Sequence, residues 1–217
     1  MHSINTGTSS FENVYGMNRY KYNQQNPDSA ELFNRAMAEL SVIHDNAILA
    51  VYDFANISKL ADIAGGQRSL LTAILQKYPN LQGTLFDQKY TIDKAKDLFV
   101  DIKERCNFVA GNFFESVPVG LDVYMLKNIL HNWNDQQAIQ ILKNCYQAMP
   151  KTGQLLVIET VINDDSSWRN GIKDLNMLVM LSSGKVRTES DKLFTDAGFK
   201  LTNIIPTTIE MSLIKGN

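Results

Sequence analysis

The sequence predicts an α/β domain built on a mostly parallel sheet, and three observations predict it. From residue 59 onward, short apolar runs at 60–64, 83–86, 106–110, 122–126 and 154–158 alternate with helical patterns at 69–77, 93–104 and 135–149. Strands joined by crossover helices produce that alternation. A glycine pair, Gly65-Gly66, follows the first run where a strand would turn into a helix. The last two runs, 200–205 and 210–214, are joined through Pro206-Thr207-Thr208 and read as a terminal antiparallel pair.

The elements follow in chain order. Residues 1–25 are rich in Asn, Ser, Gln and Tyr and lack periodicity, so they read as an arm or loop. At Asn26-Pro27-Asp28 the pattern changes. Asn26 suits a cap, Pro27 suits the first helical position, and Asp28 and Glu31 favour the first turn. Leu32, Phe33, Ala36, Met37 and Leu40 then recur at helical spacing, and a second helix is expected over 47–54. These form a helical annex over 26–56 in front of a core over 57–217. Further helices are expected over 171–181 and 189–197. There is no internal repeat and no low-complexity linker, so 26–217 counts as one domain.

The bulk composition excludes several classes. In 217 residues, 44% are hydrophobic and 20% charged, with a formal net charge of -2. That is ordinary for a globular protein and lacks the basic excess of a nucleic-acid surface. The start of the chain has no basic region followed by an apolar core, so it does not read as a signal peptide. No apolar run of about 18 residues suggests a membrane helix. Cys106 and Cys145 have neither CxxC spacing nor the numbers for a disulfide framework or a metal site. A reducing, cytoplasmic compartment is the expectation.

In open parallel sheets, ligands bind outside the carboxyl ends of the strands. After the first strand stands Ala64-Gly65-Gly66, which suits either a plain turn or a backbone approaching a ligand. Asp87 ends the second strand, 21 residues beyond Gly66. It is either a solvated strand-end carboxylate or a partner for ribose hydroxyls. After the third strand, Asn112 beside Phe113 suits a turn with a core aromatic, or a place to hold and stack an adenine. The fourth leads into LKNILHNWND, where Lys127 could pair with a ligand carboxylate and Trp133 could cover an adenine. Asp135 is expected to cap the next helix.

That run, followed by QQAIQILKNCYQAMPKTGQLLVIE, resembles the core of the small-molecule O-methyltransferases of the caffeate, isoflavone and acetylserotonin type. AGGQRSLLTAILQKYPNLQGTLFD is similar to the family's glycine loop through its ribose-binding Asp. FVAGNFFESVP resembles its GDMF-type segment, GKVRT and DAGF its late landmarks, and FNRAM its helix before the sheet. The likeness runs from about Phe11 to the C-terminus. It implies a Rossmann-like class I methyltransferase fold: a seven-stranded, mostly parallel sheet with an antiparallel last strand and helices on both faces. It implies S-adenosylmethionine as cofactor and methyl transfer to a hydroxyl of a small, aromatic acceptor. By the resemblance, Ala64, Gly65, Gly66, Asp87, Asn112, Phe113, Lys127 and Trp133 contact the cofactor. His131 is the general base and Glu159 the carboxylate that orients it. Phe33, Met37, Asn176 and Met180 line the acceptor pocket. A second family carboxylate falls on Glu189 or Asp191.

The chain also departs from the family pattern. Ala64 and Arg68 stand where the family commonly has glycine, and Asn112 and Asn132 where it commonly has Asp. By the resemblance, family members usually carry an N-terminal dimerisation domain, and this sequence is expected to start near the catalytic half. The expected partner is therefore a second copy or a missing domain, besides the hydroxylated small molecule. These departures keep a second reading open, a binding or scaffold protein on a catalytically degenerate methyltransferase fold. A nicotinamide-dependent oxidoreductase is disfavoured, because the GxGxxG spacing is absent.

Overall fold

A computed structural model describes residues 2–66, 70–160, 179 and 190–217. Seven strands form one sheet in the order β3-β2-β1-β4-β5-β7-β6. They are β1 (Lys59–Ile63), β2 (Gln82–Asp87), β3 (Cys106–Ala110), β4 (Val123–Lys127), β5 (Gln154–Thr160), β6 (Leu201–Pro206) and β7 (Met211–Gly216). The first five are parallel, and β7 runs antiparallel to both β5 and β6. This is the expected α/β sheet with its reversed last strand. The chain winds outward from β1 to β3, then returns to place β4 on the other side of β1. The carboxyl ends of β1 and β4 therefore flank a topological switch point.

Successive residues of each inner strand point to opposite faces, and both faces are covered. Leu60, Val123, Met125, Leu156 and Ile158 pack on one side with Ile48, Leu71 and Ile74. Ala61, Ile63, Tyr124, Leu126, Leu155 and Val157 pack on the other with Ile141, Leu142 and Phe194. Burial on both sides is why these strands read as continuous apolar runs rather than alternating ones. The covering helices are α5 (Leu70–Lys77), α6 (Lys89–Leu98), α7 (Asp135–Ala148) and α8 (Ser190–Ala197). Arg105 secures the end of α5 by donating to the carbonyls of Leu75 at 2.7 Å, Leu81 at 3.2 Å and Tyr78 at 3.3 Å.

Several local expectations are corrected. The arm is helical, with α1 (His2–Thr6), α2 (Ser10–Tyr15) and α3 (Arg19–Gln25). Ser9 caps α2, Asn18 caps α3, and Gly16 ends α2 with φ +67°. Such short helices present no apolar period to read, and their caps are their main sequence signal. The annex is one helix, α4 (Pro27–Val51), rather than two. No Gly or Pro interrupts the chain after Pro27, so the hydrogen-bond ladder runs through. Pro27 opens that helix, but Asn26 does not cap it with its side chain. The Asn26 amide donates instead to the Tyr22 carbonyl at the end of α3.

The helix expected over 93–104 starts earlier, at Lys89, and gives way at Phe99 to a 3₁₀ turn over Val100–Arg105. That break lets the Phe99 ring enter the core. Asn134, not Asp135, caps α7, in a reciprocal capping box with Gln137. Of the helix expected over 171–181, Val179 alone is among the described residues, and it is helical. Among the described residues, no helix is long and apolar enough to cross a membrane.

Candidate functional site

At the β1–β2 end of the site the backbone does the shaping. Ala64 takes the left-handed conformation at φ +57° and Gly66 does so at φ +76°. A Cβ on Gly65 would collide with the Asp62 carboxylate and come within 2.7 Å of Leu85. Ala64 N–H donates to the Phe86 carbonyl at 2.7 Å, which ties the turn to β2. The Asp87 carboxylate then accepts from Gly66 N–H at 3.0 Å and from Gln88 N–H at 2.6 Å. Glycine loop and strand-end carboxylate are one hydrogen-bonded unit, as the 21-residue spacing between them allows.

This unit opens onto a cavity of about 1060 Å³. Ala64, Asp87, Asn112, Phe113 and Trp133 are among its walls. Asn112 forms a local turn: its side-chain Oδ1 accepts from Phe114 N–H at 3.1 Å and its side-chain amide donates to Glu115 at 2.9 Å. The turn aims two aromatic rings at Trp133. Trp133 stands edge-on to Phe114 at 4.8 Å and to Phe113 at 5.8 Å. Sequence reasoning missed Phe114 and the arm residues Glu12, Asn18 and Gln24, which also face the cavity. For Phe114 the signal was the doubled aromatic after Asn112. For the arm, only the capping residues hinted at any order.

At the β4–β5 end a buried side chain does the shaping. Asn128, at φ +58°, turns the chain out of β4 into a 3₁₀ turn over Leu130–Asn132. Asn tolerates that conformation better than most residues. Glu159 on β5 is 4% exposed. One of its oxygens accepts from Leu130 N–H at 3.0 Å and from His131 N–H at 3.5 Å. The other lies 2.7 Å from His131 Nδ1. A carboxylate only accepts, so Nδ1 carries a proton, and in the neutral imidazole Nε2 is the nitrogen with the lone pair. Asn132 braces the same turn by donating to the carbonyls of Asn128 and Ile129.

Lys127 has protein partners at the end of β4. Its ammonium pairs with Asp45 and donates to Ser41 at 3.1 Å. Ser41 and Asp45 sit one turn apart on α4 across the end of β4. Of the residues expected to line an acceptor pocket, Phe33 is partly buried on α4 and Met37 lies one turn further along it. Asn176, Met180, Arg68 and Glu189 lie outside the described residues, as does the side chain of Asp191. Both cysteines are buried, and burial pushes Cys106 up to about 11 and Cys145 up to about 12, so neither is a thiolate nucleophile.

Comparison with known proteins converges. The O-methyltransferase domain family matches residues 2–200. A phenazine O-methyltransferase, PhzM, of Lysobacter antibioticus is 35% identical over 99% of this chain, which spans 64% of that relative's length. The structure of the mitomycin 7-O-methyltransferase MmcR superposes with a TM-score of 0.91 at 32% identity, over 100% of this chain and 65% of that one. The O-methyltransferase NcsB1 from neocarzinostatin biosynthesis was solved with S-adenosylmethionine and 2-hydroxy-5-methyl naphthoic acid. It superposes with a TM-score of 0.86 at 29% identity, over 100% of this chain and 66% of its own.

Proposed function

This chain belongs to the O-methyltransferase domain family, and from that premise we propose that it moves a methyl group from S-adenosylmethionine to a hydroxyl of a small aromatic molecule. The relatives reported above act, by their names, on phenazine and mitomycin compounds, and one holds a hydroxynaphthoic acid. The observation that carries the reading is the His131–Glu159 pair, held 2.7 Å apart at the carboxyl end of the sheet.

The residues at the β1–β2 end fit the cofactor. Ala64 follows the left-handed path on which glycine is commonest, so the alanine preserves the loop. Among the described residues nothing stands within 4 Å of a Cβ placed on Gly66, which favours approach of a ligand to that backbone. Asp87 offers a carboxylate to ribose hydroxyls, and Trp133 and Phe113 offer aromatic surfaces to an adenine. When bound, the cofactor supplies an activated sulfonium methyl group.

The remaining work is proton handling and alignment. A phenol titrates near pH 10 and is mostly protonated at neutral pH. His131 Nε2 takes that proton as the oxygen is methylated, a contribution of roughly 10²–10⁴-fold. Glu159 acts through His131 as a positioning residue, fixing its tautomer and favouring the imidazolium that forms. Phe33 and Met37, with Asn176 and Met180, are assigned to the acceptor pocket. Two buried free cysteines are in keeping with a cytoplasmic setting. The exposed Leu32, Leu40, Val42 and Ile43 of α4 support a contact with a second copy or partner domain.

The test is a kinetic split. Glu159→Gln is expected to lower kcat while S-adenosylhomocysteine affinity holds. Equal loss of both would make Glu159 purely structural. No methyl transfer and no cofactor binding by the wild-type chain would favour a scaffold built on this fold.

A further inference from the structure

Arg19, at the start of α3, lies outside the dyad and the glycine loop, yet it is built like a receptor. Its guanidinium sits 4.7 Å from the ring centroid of Phe33 and 5.4 Å from that of Phe11. Tyr15 and Tyr22 brace Phe11 at 4.5 and 5.3 Å. Contact with two aromatic rings restrains a guanidinium while its N–H groups can still donate to an anion. One donor, Nε, goes to Asn23 at 3.4 Å. Among the described residues the ion pairs are Lys89–Asp93, Lys127–Asp45 and His131–Glu159, so no described carboxylate meets Arg19. The side chain is half-buried. A partly desolvated cation with a fixed planar fork suits a carboxylate bound through two parallel hydrogen bonds.

Its place in the fold is equally specific. The preceding residue, Asn18, and the neighbour of Phe11, Glu12, both face the cavity. Phe33 belongs to the acceptor side of the proposed function. The arm is docked rather than free: Ser9 is 2% exposed and donates to the Val179 carbonyl at 3.0 Å. We propose that Arg19 receives a carboxylate on a ligand of this site, either the acid group of an aromatic hydroxy acid or the amino-acid end of the cofactor. The proposal rests on the methyltransferase reading for the identity of those ligands.

The experiment compares wild type, Arg19→Gln and Arg19→Lys, with thermal melts to confirm that the arm stays folded. One pair of probes is 4-hydroxybenzoate and its methyl ester, titrated without cofactor. The other is S-adenosylhomocysteine and 5′-methylthioadenosine, which lacks the amino-acid end. Arg19→Gln is expected to weaken one carboxylate probe by on the order of 10–100-fold, the scale of charge-assisted hydrogen bonds, and its neutral counterpart by less than about twofold. Arg19→Lys recovers only part of the loss, because an ammonium cannot reproduce the fork. Loss on 4-hydroxybenzoate assigns the acceptor, and loss on S-adenosylhomocysteine assigns the cofactor. The proposal is overturned if both carboxylate probes are unchanged, if the neutral probes weaken equally, or if wild type binds neither acid. Failure of wild type to bind either nucleoside contradicts the methyltransferase reading, while the benzoate pair still judges Arg19 separately.

Discussion

At the β4–β5 end of the site one buried side chain organises its surroundings, whereas at the β1–β2 end the backbone does. Glu159 collects the Leu130 and His131 amides and the imidazole into a single network. Across the switch point, Ala64, Gly65 and Gly66 form a turn whose path is set by two left-handed residues and one forbidden Cβ, with Asp87 holding it from outside. The difference matches the work assigned to each end. A base must be fixed in tautomer and direction, which needs a preorganised partner. A cofactor cradle needs close backbone approach and clearance, which only backbone conformation supplies. The first kind of site fails when a partner is removed. The second fails when bulk is added.

Mutations that respect this division separate the two ends. The largest expected effect is His131→Ala, which should lower kcat by about 10²–10⁴-fold with S-adenosylhomocysteine affinity within about threefold. Steady-state kinetics beside calorimetry checks this, and parallel loss of both would dissolve the division. Asp87→Ala should do the reverse, weakening cofactor binding by about 1–3 kcal/mol while leaving kcat at saturating cofactor nearly unchanged. An unaltered dissociation constant would remove Asp87 from the ribose role.

Gly65→Ala adds bulk against Asp62 and Leu85 and should lower unfolding stability by about 1–3 kcal/mol, measured by denaturant titration. A neutral result would mean the loop relaxes freely. Ala64→Gly should have the smallest effect, a gain below about 1 kcal/mol, because relief of the left-handed strain of roughly 1–2 kcal/mol is offset by unfolded-chain entropy. Marked destabilisation there would show that the alanine methyl is needed for packing.

The legibility of the sequence followed the same line. The sheet was readable because β1, β4 and β5 are buried on both faces and so present unbroken apolar runs. The contact between His131 and Glu159 and the link between the glycine loop and Asp87 could be anticipated through the family resemblance, whose ordered motifs fall at strand ends. The pairing of Lys127 was not legible because its partners, Ser41 and Asp45, lie more than 80 residues earlier, and local sequence carries no trace of it. The arm was misread because helices of five to seven residues show no period, although Ser9, Gly16 and Asn18 mark their ends. The joint in α6 at Phe99 was invisible for a related reason: tertiary burial of one ring outweighed helical continuity.

The most direct test of the account is calorimetric titration of S-adenosylhomocysteine into the wild-type chain, His131→Ala and Asp87→Ala. The account predicts binding in the micromolar range for wild type and His131→Ala alike, with clear weakening only in Asp87→Ala. No binding to the wild-type chain up to millimolar ligand, with its fold intact by circular dichroism, would contradict it and leave a scaffold as the better description.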